Sequence, residues 1–383
     1  MALFEAKTHN RRMHIVIDAR TGDGTGISRY SLNLVRELEK LPADYRFTVL
    51  LGPIDFPKWK PHDERFTKLF APYKHYSLGE QFGLLRLLYS LKPDLVHFTS
   101  FNAPVLYFGK RIFTIHDLTL VHFRNIRGSL KHKIIYPIKY WAMRFVLRCA
   151  IMQSNALITD SQYVKQDILV TWGKGLLHPV QPEKITVTPL AVETYEGAKT
   201  QPRPIKEDYL LYVGAAYPHK NLDVLAKGYE RLKETHPDLK LVVIGKQDYW
   251  QKKLGGENKS ITFPGYLPYE KLVAYYQSAS LFVFPSLSEG FGLPPLEAMA
   301  YGAPVLSSNR TSIPEACGDA AEYFDPHSPK DLADKAEALL ADPERRKEMI
   351  RLGKEQVKKF SWKKMAQQTL EVYKNVLAPN SSR

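Results

Sequence analysis

Apolar and polar positions along this chain fall into alternating blocks. Short β-branched runs, each followed by a stretch with helical spacing, recur through most of its length. In the first half the runs are Met13–Ala19, Phe47–Leu51, Asp94–Phe98, Ile112–His116, Ala156–Asp160 and Ile185–Pro189. A helix follows the first of them, because Ile27, Tyr30, Leu34, Val35, Leu38 and Leu41 share one face. The second half repeats the rhythm at Tyr209–Gly214, Lys240–Gly245, Ile261–Gly265, Leu281–Pro285 and Pro304–Ser308. Such alternation gives parallel sheets covered by helices on both faces. Between the halves, Glu196–Asp208 is polar and holds two prolines, which reads as a linker. The pattern thus predicts an α/β chain of two doubly wound, Rossmann-like domains, 1–195 and 209–361, joined by 196–208. A last apolar-periodic stretch, Trp362–Leu377, either packs on the second domain or crosses back, with 362–383, to the first. Sheets of this kind hold ligands beyond the carboxyl ends of their strands, so the expected site is a cleft where the domains face each other.

Composition agrees with two cores, since one core stops growing near 250–300 residues and the chain has 383. No uncharged apolar run reaches the roughly 18 residues that cross a bilayer. Met1–Arg12 lacks the apolar segment of an export signal. The expected place is therefore the cytoplasm, with the inner face of the cell membrane as a docking surface. Cys149 and Cys317 suit no metal spacing and read as small apolar groups in a reducing compartment.

Charge narrows the partners. Lys and Arg exceed Asp and Glu by 54 − 40 = +14, an excess that attracts anions. One basic concentration, Arg124 to Arg148, interleaves Ile134, Ile135, Tyr136, Tyr140, Trp141 and Phe145. It reads either as a surface helix with snorkelling side chains or as a face for anionic lipid. No nucleic-acid module is recognisable, so no nucleic-acid partner is expected.

Three segments carry candidate chemistry. Thr21-Gly-Asp-Gly-Thr-Gly-Ile-Ser-Arg-Tyr30 follows a strand and opens a helix, the place of a dinucleotide fingerprint. Its third glycine, however, would fall on Ile27 or Arg29. Gly24 and Gly26 either bring backbone close to a phosphate or serve a tight turn. The second segment, after Gly214, places His219, Lys220 and Asn221 at the next helix start, with Asn221 as the expected N-cap. Lys220 there adds a point charge to a dipole that already favours anions. The third segment is Ser288–Gly302. Gly290 and Gly292 offer free N–H groups, Pro294 or Pro295 opens a helix, and Gly302 caps it. Glu289 and Glu297 flank that loop, with Glu297 expected in the first helical turn. One carboxylate on a ribose diol, one on a sugar and N–H groups on a diphosphate would fit a nucleotide-sugar.

Glu289-Gly-Phe-Gly-Leu-Pro-Pro-Leu-Glu297 resembles the E-x7-E motif of retaining GT-B glycosyltransferases of family 4. Gly24–Tyr30, Thr114–Leu118, Val213–Asn221 and Phe263–Leu267 are similar to other segments of that family. Ile313–Pro326 resembles a stretch common among its bacterial mannosyltransferases. The resemblance implies a GT-B fold with Glu289, His116 and Lys220 as catalytic groups. Glu297 would hold the ribose, Glu289 the transferred sugar, and His116 would face that sugar. Lys220, His219, Gly214 and the N–H groups of Gly290, Phe291, Gly292 and Leu293 would surround the diphosphate. Tyr266 and Leu267 would meet the base, and Gly24 and Gly26 would approach from the other domain. Ala215 and His219 stand where many relatives carry arginine. With no Asp-x-Asp sequence, no metal is expected, nor any cofactor; the nucleotide-sugar is a substrate. The expected reaction is front-face, retaining transfer of mannose from GDP-mannose to a glycan or lipid-linked acceptor. A UDP-sugar transferase, a phosphorylase or sucrose-phosphate synthase relative, a non-catalytic basic scaffold and a nicotinamide oxidoreductase are the rivals.

Overall fold

In a computed structural model of the protein the described residues are 12–21, 26–123, 130–173, 179–193, 201–245 and 260–379, the side chains of 130–135 excepted. Gly24 and the start of the basic stretch, 124–129, lie outside them, as does 196–200 of the expected linker.

The first half runs β1 (Met13–Ala19), α1 (Gly26–Lys40), β2 (Tyr45–Leu51), β3 (Phe66–Phe70), α2 (Leu85–Leu91), β4 (Leu95–Phe98) and β5 (Arg111–Ile115). It continues with α3 (Thr119–His122), α4 (Leu130–Gln153), β6 (Ala156–Thr159), α5 (Gln162–Trp172) and β7 (Ile185–Val187). A π-helical turn, Gly79–Leu84, leads into α2. In the second half come β8 (Tyr209–Val213), α6 (Leu222–Thr235), β9 (Lys240–Ile244), β10 (Ile261–Gly265), α7 (Tyr269–Ser278) and β11 (Leu281–Phe284). Then follow α8 (Leu293–Ala300), β12 (Val305–Ser308), α9 (Ile313–Cys317), β13 (Ala321–Phe324), α10 (Pro329–Ala341), α11 (Pro343–Lys358) and α12 (Trp362–Leu377).

Two parallel sheets result, ordered β3-β2-β1-β4-β5-β6-β7 and β10-β9-β8-β11-β12-β13. Their central strands are apolar almost throughout because helices cover both faces: six of the seven residues of β1 are buried. The sequence pattern missed β3 and β13, both sheet edges. Edge strands bury one side only, and Phe66-Thr-Lys-Leu-Phe70 alternates over too few residues to stand out. Pro264 sits in the edge strand β10, where its missing N–H costs no ladder bond to a further strand and the register shifts.

After α11 the chain does cross back. Helix α12 packs on α1 of the first half. Its Tyr373 hydroxyl lies 2.6 Å from His97 Nδ1, and Lys110 Nζ donates to Val376 O at 3.0 Å. The buried apolar stripe of α12, with Met365, Leu370, Val372 and Tyr373, is therefore spent on the first half and clasps the two together.

Candidate functional site

Strand order reverses between β1 and β4 in one sheet and between β8 and β11 in the other, and the candidate segments leave the strands there. After β8, Gly214 adopts φ +152°, and a side chain on it would come within 2.9 Å of Tyr212 Oη. Its N–H donates to Ile244 O at 2.9 Å, so that donor is spent within the sheet and is not offered to a diphosphate. Pro218–Lys220 then forms one 3-10 turn, and Asn221 links it to α6 with left-handed backbone, φ 58°. Asn221 does not cap α6 with its side chain, contrary to expectation. Its Nδ2 donates instead to Pro285 O (3.1 Å) and Pro326 O (2.7 Å), pinning the Lys220 turn to the exit of β11.

That tether delivers Lys220 to Glu289. Lys220 Nζ donates to both carboxylate oxygens, at 2.6 and 2.9 Å. Both side chains are mostly withdrawn from water, 17% and 12% exposed, so the pair is stronger than a surface bridge. The neighbouring His219 is held low, at about 4, by burial and then by the Lys220 charge, so it is neutral near pH 7. Its ring stacks at 5.7 Å on Tyr217.

The loop after β11 is fastened from below and touched from across. Glu289 N–H donates to Thr311 Oγ1 (3.1 Å), and Ser312 Oγ donates to Glu289 O (2.9 Å). From the first half, Ser161 Oγ donates to Gly290 O at 2.7 Å and Thr119 Oγ1 meets Ser288 Oγ at 3.0 Å. A side chain on Gly290 would sit 1.9 Å from His116 O, so only glycine lets the halves meet here. Gly292, φ +107°, turns the chain into α8. The N–H groups of Gly290, Phe291, Gly292 and Leu293 have no protein acceptor among the described residues. Pro294 and Pro295 contribute none, so the unpaired donors come from the loop more than from the helix. Phe291 offers only backbone: its ring is buried against Phe360, 5.3 Å away and edge-on.

Glu297 lies in the second turn of α8, not the first as the sequence suggested, and is 5% exposed. Its Oε2 accepts from the Tyr276 hydroxyl at 3.1 Å, and its Oε1 accepts from Arg29 Nη1 on α1. Burial, then the Glu297 charge, raises the Tyr276 phenol well above its ordinary value, which keeps it a donor.

His116 departs from expectation. Its Nδ1 meets Asp160 Oδ2 at 2.7 Å and its Nε2 meets Thr99 O at 2.9 Å. Both partners accept, so the doubly protonated ring satisfies both; burial opposes that charge, but Asp160 outweighs it and the pKa is raised. Neither ring nitrogen is left for a sugar. Tyr266 is 86% exposed after β10, with Leu267 partly buried beside it, and Gly26 opens α1 with empty space around it. Sequence reasoning missed Tyr276, Asp160 and Ser161. It also missed Glu315, whose carboxylate accepts from Gln162 and Tyr163 N–H (2.8 and 3.0 Å) at the start of α5 in the opposite half. In the sequence Arg29 stands out only by breaking a glycine spacing; a cation in a helix's first turn is disfavoured by the dipole, and that is the available signal. Among the described residues no group of three or more His, Cys, Asp or Glu is arranged to hold a metal ion.

Two parallel-sheet domains that meet at a glutamate-flanked glycine loop define a GT-B glycosyltransferase. Models of "Glycosyltransferase Family 4" and "Glycosyl transferases group 1" match residues 24–196 and 196–356. The O-antigen chain mannosyltransferase B of Escherichia coli is 38% identical over 91% of this chain and 96% of its own. The O-antigen chain mannosyltransferase RfbU of Salmonella typhimurium is 27% identical over 80% and 85%. Among solved structures, sucrose-phosphate synthase of Thermosynechococcus elongatus superposes with TM-score 0.71 at 20% identity, covering 96% of this chain and all of that one. Anabaena HepE in complex with UDP and glucose gives 0.71 at 17% identity over 95% and 100%. At such identities the likeness shows the fold. The chain belongs to glycosyltransferase family 4.

Proposed function

We propose that the protein transfers mannose from GDP-mannose, with retention, onto a glycan or lipid-linked acceptor in the synthesis of a cell-surface polysaccharide. The observation that carries the reading is the Lys220–Glu289 pair beside the loop 290–293 at the interdomain seam. An ammonium group has three donors and a carboxylate about four acceptor positions. After their mutual bonds, Lys220 keeps one donor for a phosphate oxygen and Glu289 keeps lone pairs for sugar hydroxyls. As the bond from sugar to diphosphate breaks, Lys220 and the loop N–H groups take up the charge on the leaving oxygen. That oxygen then accepts the proton of the incoming hydroxyl on the same face. Glu297 holds the ribose diol, and Tyr266 and Leu267 meet the base through backbone. His116 positions the rim through Asp160 and Thr99. This assignment routes no step through a metal. The choice of mannose rests on the names of the two relatives.

Helix α4 would bring the enzyme to its acceptor. Ile138, Trp141 and Phe145 project from one face, 71%, 63% and 59% exposed, with Lys139, Arg144 and Arg148 on the same helix. That face suits the surface of an anionic membrane. Among the described residues no helix is long and apolar enough to cross one.

Thermal-shift screening against GDP, UDP, ADP and NAD tests the donor. Stabilisation by GDP above the others is expected. Stabilisation by UDP instead transfers the reading to a UDP-sugar, and none by any nucleotide removes it.

A further inference from the structure

Arg29 is an odd residue to find where it is. It stands in the first turn of α1, where the helix dipole repels a cation. Its partner lies 268 residues away, in the other domain: Nη1 donates to Oε1 of Glu297, whose side chain is only 7% exposed. Burial works against the guanidinium charge, and Glu297 more than offsets it, with Glu193 and Tyr269 adding to the effect. The other terminal nitrogen, Nη2, is buried and has no acceptor among the described residues. Buried donors are rarely left this way unless something else completes them.

The carboxylate gains a fixed direction from this contact. Arg29 holds Oε1 and the Tyr276 hydroxyl holds Oε2. Of about four acceptor positions, two are used, leaving one on each oxygen. Two lone pairs on neighbouring oxygens of an immobilised carboxylate match a vicinal diol. Remove Arg29 and one oxygen of a buried carboxylate is left with no charged donor, free to rotate toward whatever else it finds.

We propose that Arg29 is a positioning residue that makes the ribose grip of Glu297 conditional on the two domains being together. The inference rests on the reading of Glu297 as the ribose-binding acid. It goes further by making that grip a shared property of both domains. Tyr276 belongs to the second domain and is present whether or not the cleft is shut; Arg29 arrives only with α1. The surrounding seam contacts, Ser161 to Gly290, Thr119 to Ser288 and Glu315 to the start of α5, hold the same closed arrangement. None of these three reaches the ligand-binding carboxylates; Arg29 does. Donor binding and closure are then linked equilibria, each favouring the other.

The test compares GDP with its 2′,3′-dideoxy analogue by calorimetric titration of the full chain, with the matching uridine pair run in parallel to cover the other base. Wild type is expected to prefer the diol-bearing nucleotide by about tenfold, the lower end of what one hydrogen bond to a charged group contributes. In Arg29→Ala that preference should shrink to within about twofold, while affinity for the dideoxy analogue changes by less than about threefold. Arg29→Lys, which keeps a charge but not the fork, should recover part of the preference. In turnover, the donor KM should rise in Arg29→Ala with kcat at saturating donor within a few-fold of wild type. If Arg29→Ala retains the wild-type preference, or binds the diol-bearing nucleotide more tightly, Arg29 does not position the grip and the inference is overturned. If wild type itself ignores the diol in both nucleotide pairs, the ribose reading of Glu297 fails as well, which is a different result from the first.

Discussion

At the rim of the first domain, His116 spends both ring nitrogens on Asp160 and Thr99. At the rim of the second, Lys220 and Glu289 hold each other and still keep donors and lone pairs in reserve. The imidazole of one rim is saturated and the ion pair of the other is poised. The contrast follows from what surrounds each group. His116 is enclosed by β4 and β6 and by Tyr30, whose ring meets it edge-on at 4.8 Å, so both of its ring nitrogens find their partners inside. Lys220 and Glu289 sit on loops at strand ends, where a ligand can complete them. We therefore assign chemistry to the second rim and alignment to the first, and the experiments below separate the two.

Replacing Glu289 with Ala should have the largest effect. Transfer should fall by about 10²–10³-fold in kcat, the loss typical of one interaction aimed at the reacting centre. GDP affinity by calorimetry should stay within about threefold, because Lys220 survives. Equal losses in both quantities would mean that Glu289 holds the nucleotide and not the sugar.

Gly290→Ala probes the saturated rim through its contact with the poised one. The new methyl group would overlap His116 O, which is backbone and cannot swing aside. The domains must part by about an ångström, and misplacement of that size costs about 10²-fold in kcat/KM. Gly79→Ala is the control, since its nearest neighbour would be 3.5 Å away, an ordinary contact. Similar kinetics for the two variants would show that the seam is not needed closed.

Much of this contrast could not be read from the sequence. Spacing located the strands of both sheet centres and gave α12 its observed bounds, Trp362–Leu377, because periodicity records which side of an element is buried. Periodicity does not record against what, so it cannot tell a return of α12 to the first domain from packing on the second. The meeting of Glu289, Lys220 and the glycine loop was legible because a doubly wound fold gathers the loops that leave its strand ends. The fate of a polar side chain was less so. Asn221 looks like a cap and is instead a tether, and His116 looks like a free imidazole and is instead a brace. Such outcomes depend on distant neighbours, as with His116 and Asp160, 44 residues apart, or Asn221 and Pro326, 105 apart.

Lys220→Ala should rank third. Losing one hydrogen bond to a charged group weakens GDP binding by about 10–100-fold. The loss should be smaller for guanosine, which has no diphosphate, and calorimetry with both ligands checks this. An equal loss for guanosine would place Lys220 outside the diphosphate site.

The smallest effect concerns His97, which lies behind His116 and marks how deep the saturation of the first rim extends. Its Nε2 meets Thr114 Oγ1 at 2.8 Å, and its Nδ1 meets the Tyr373 hydroxyl of α12. Burial, with the His116 charge added, lowers it to about 3. The unfolded chain binds a proton near pH 6.5 and the folded one does not, so folded stability is lost as pH falls below 6.5. Between pH 7.5 and 5.5 the His97 contribution to the unfolding constant should change about tenfold, or about 1.4 kcal/mol. His116 acts with the opposite sign: its raised value adds stability below 6.5 that is lost as pH climbs through its folded pKa. The two must therefore be separated, which denaturant titrations of wild type and His97→Gln at both pH values do by difference. Nitrogen-15 NMR of the wild-type ring provides a reading independent of any variant. A His97 that titrates near 6 would mean water reaches the contact between α12 and the first sheet, and the first rim would then be no more closed than the second.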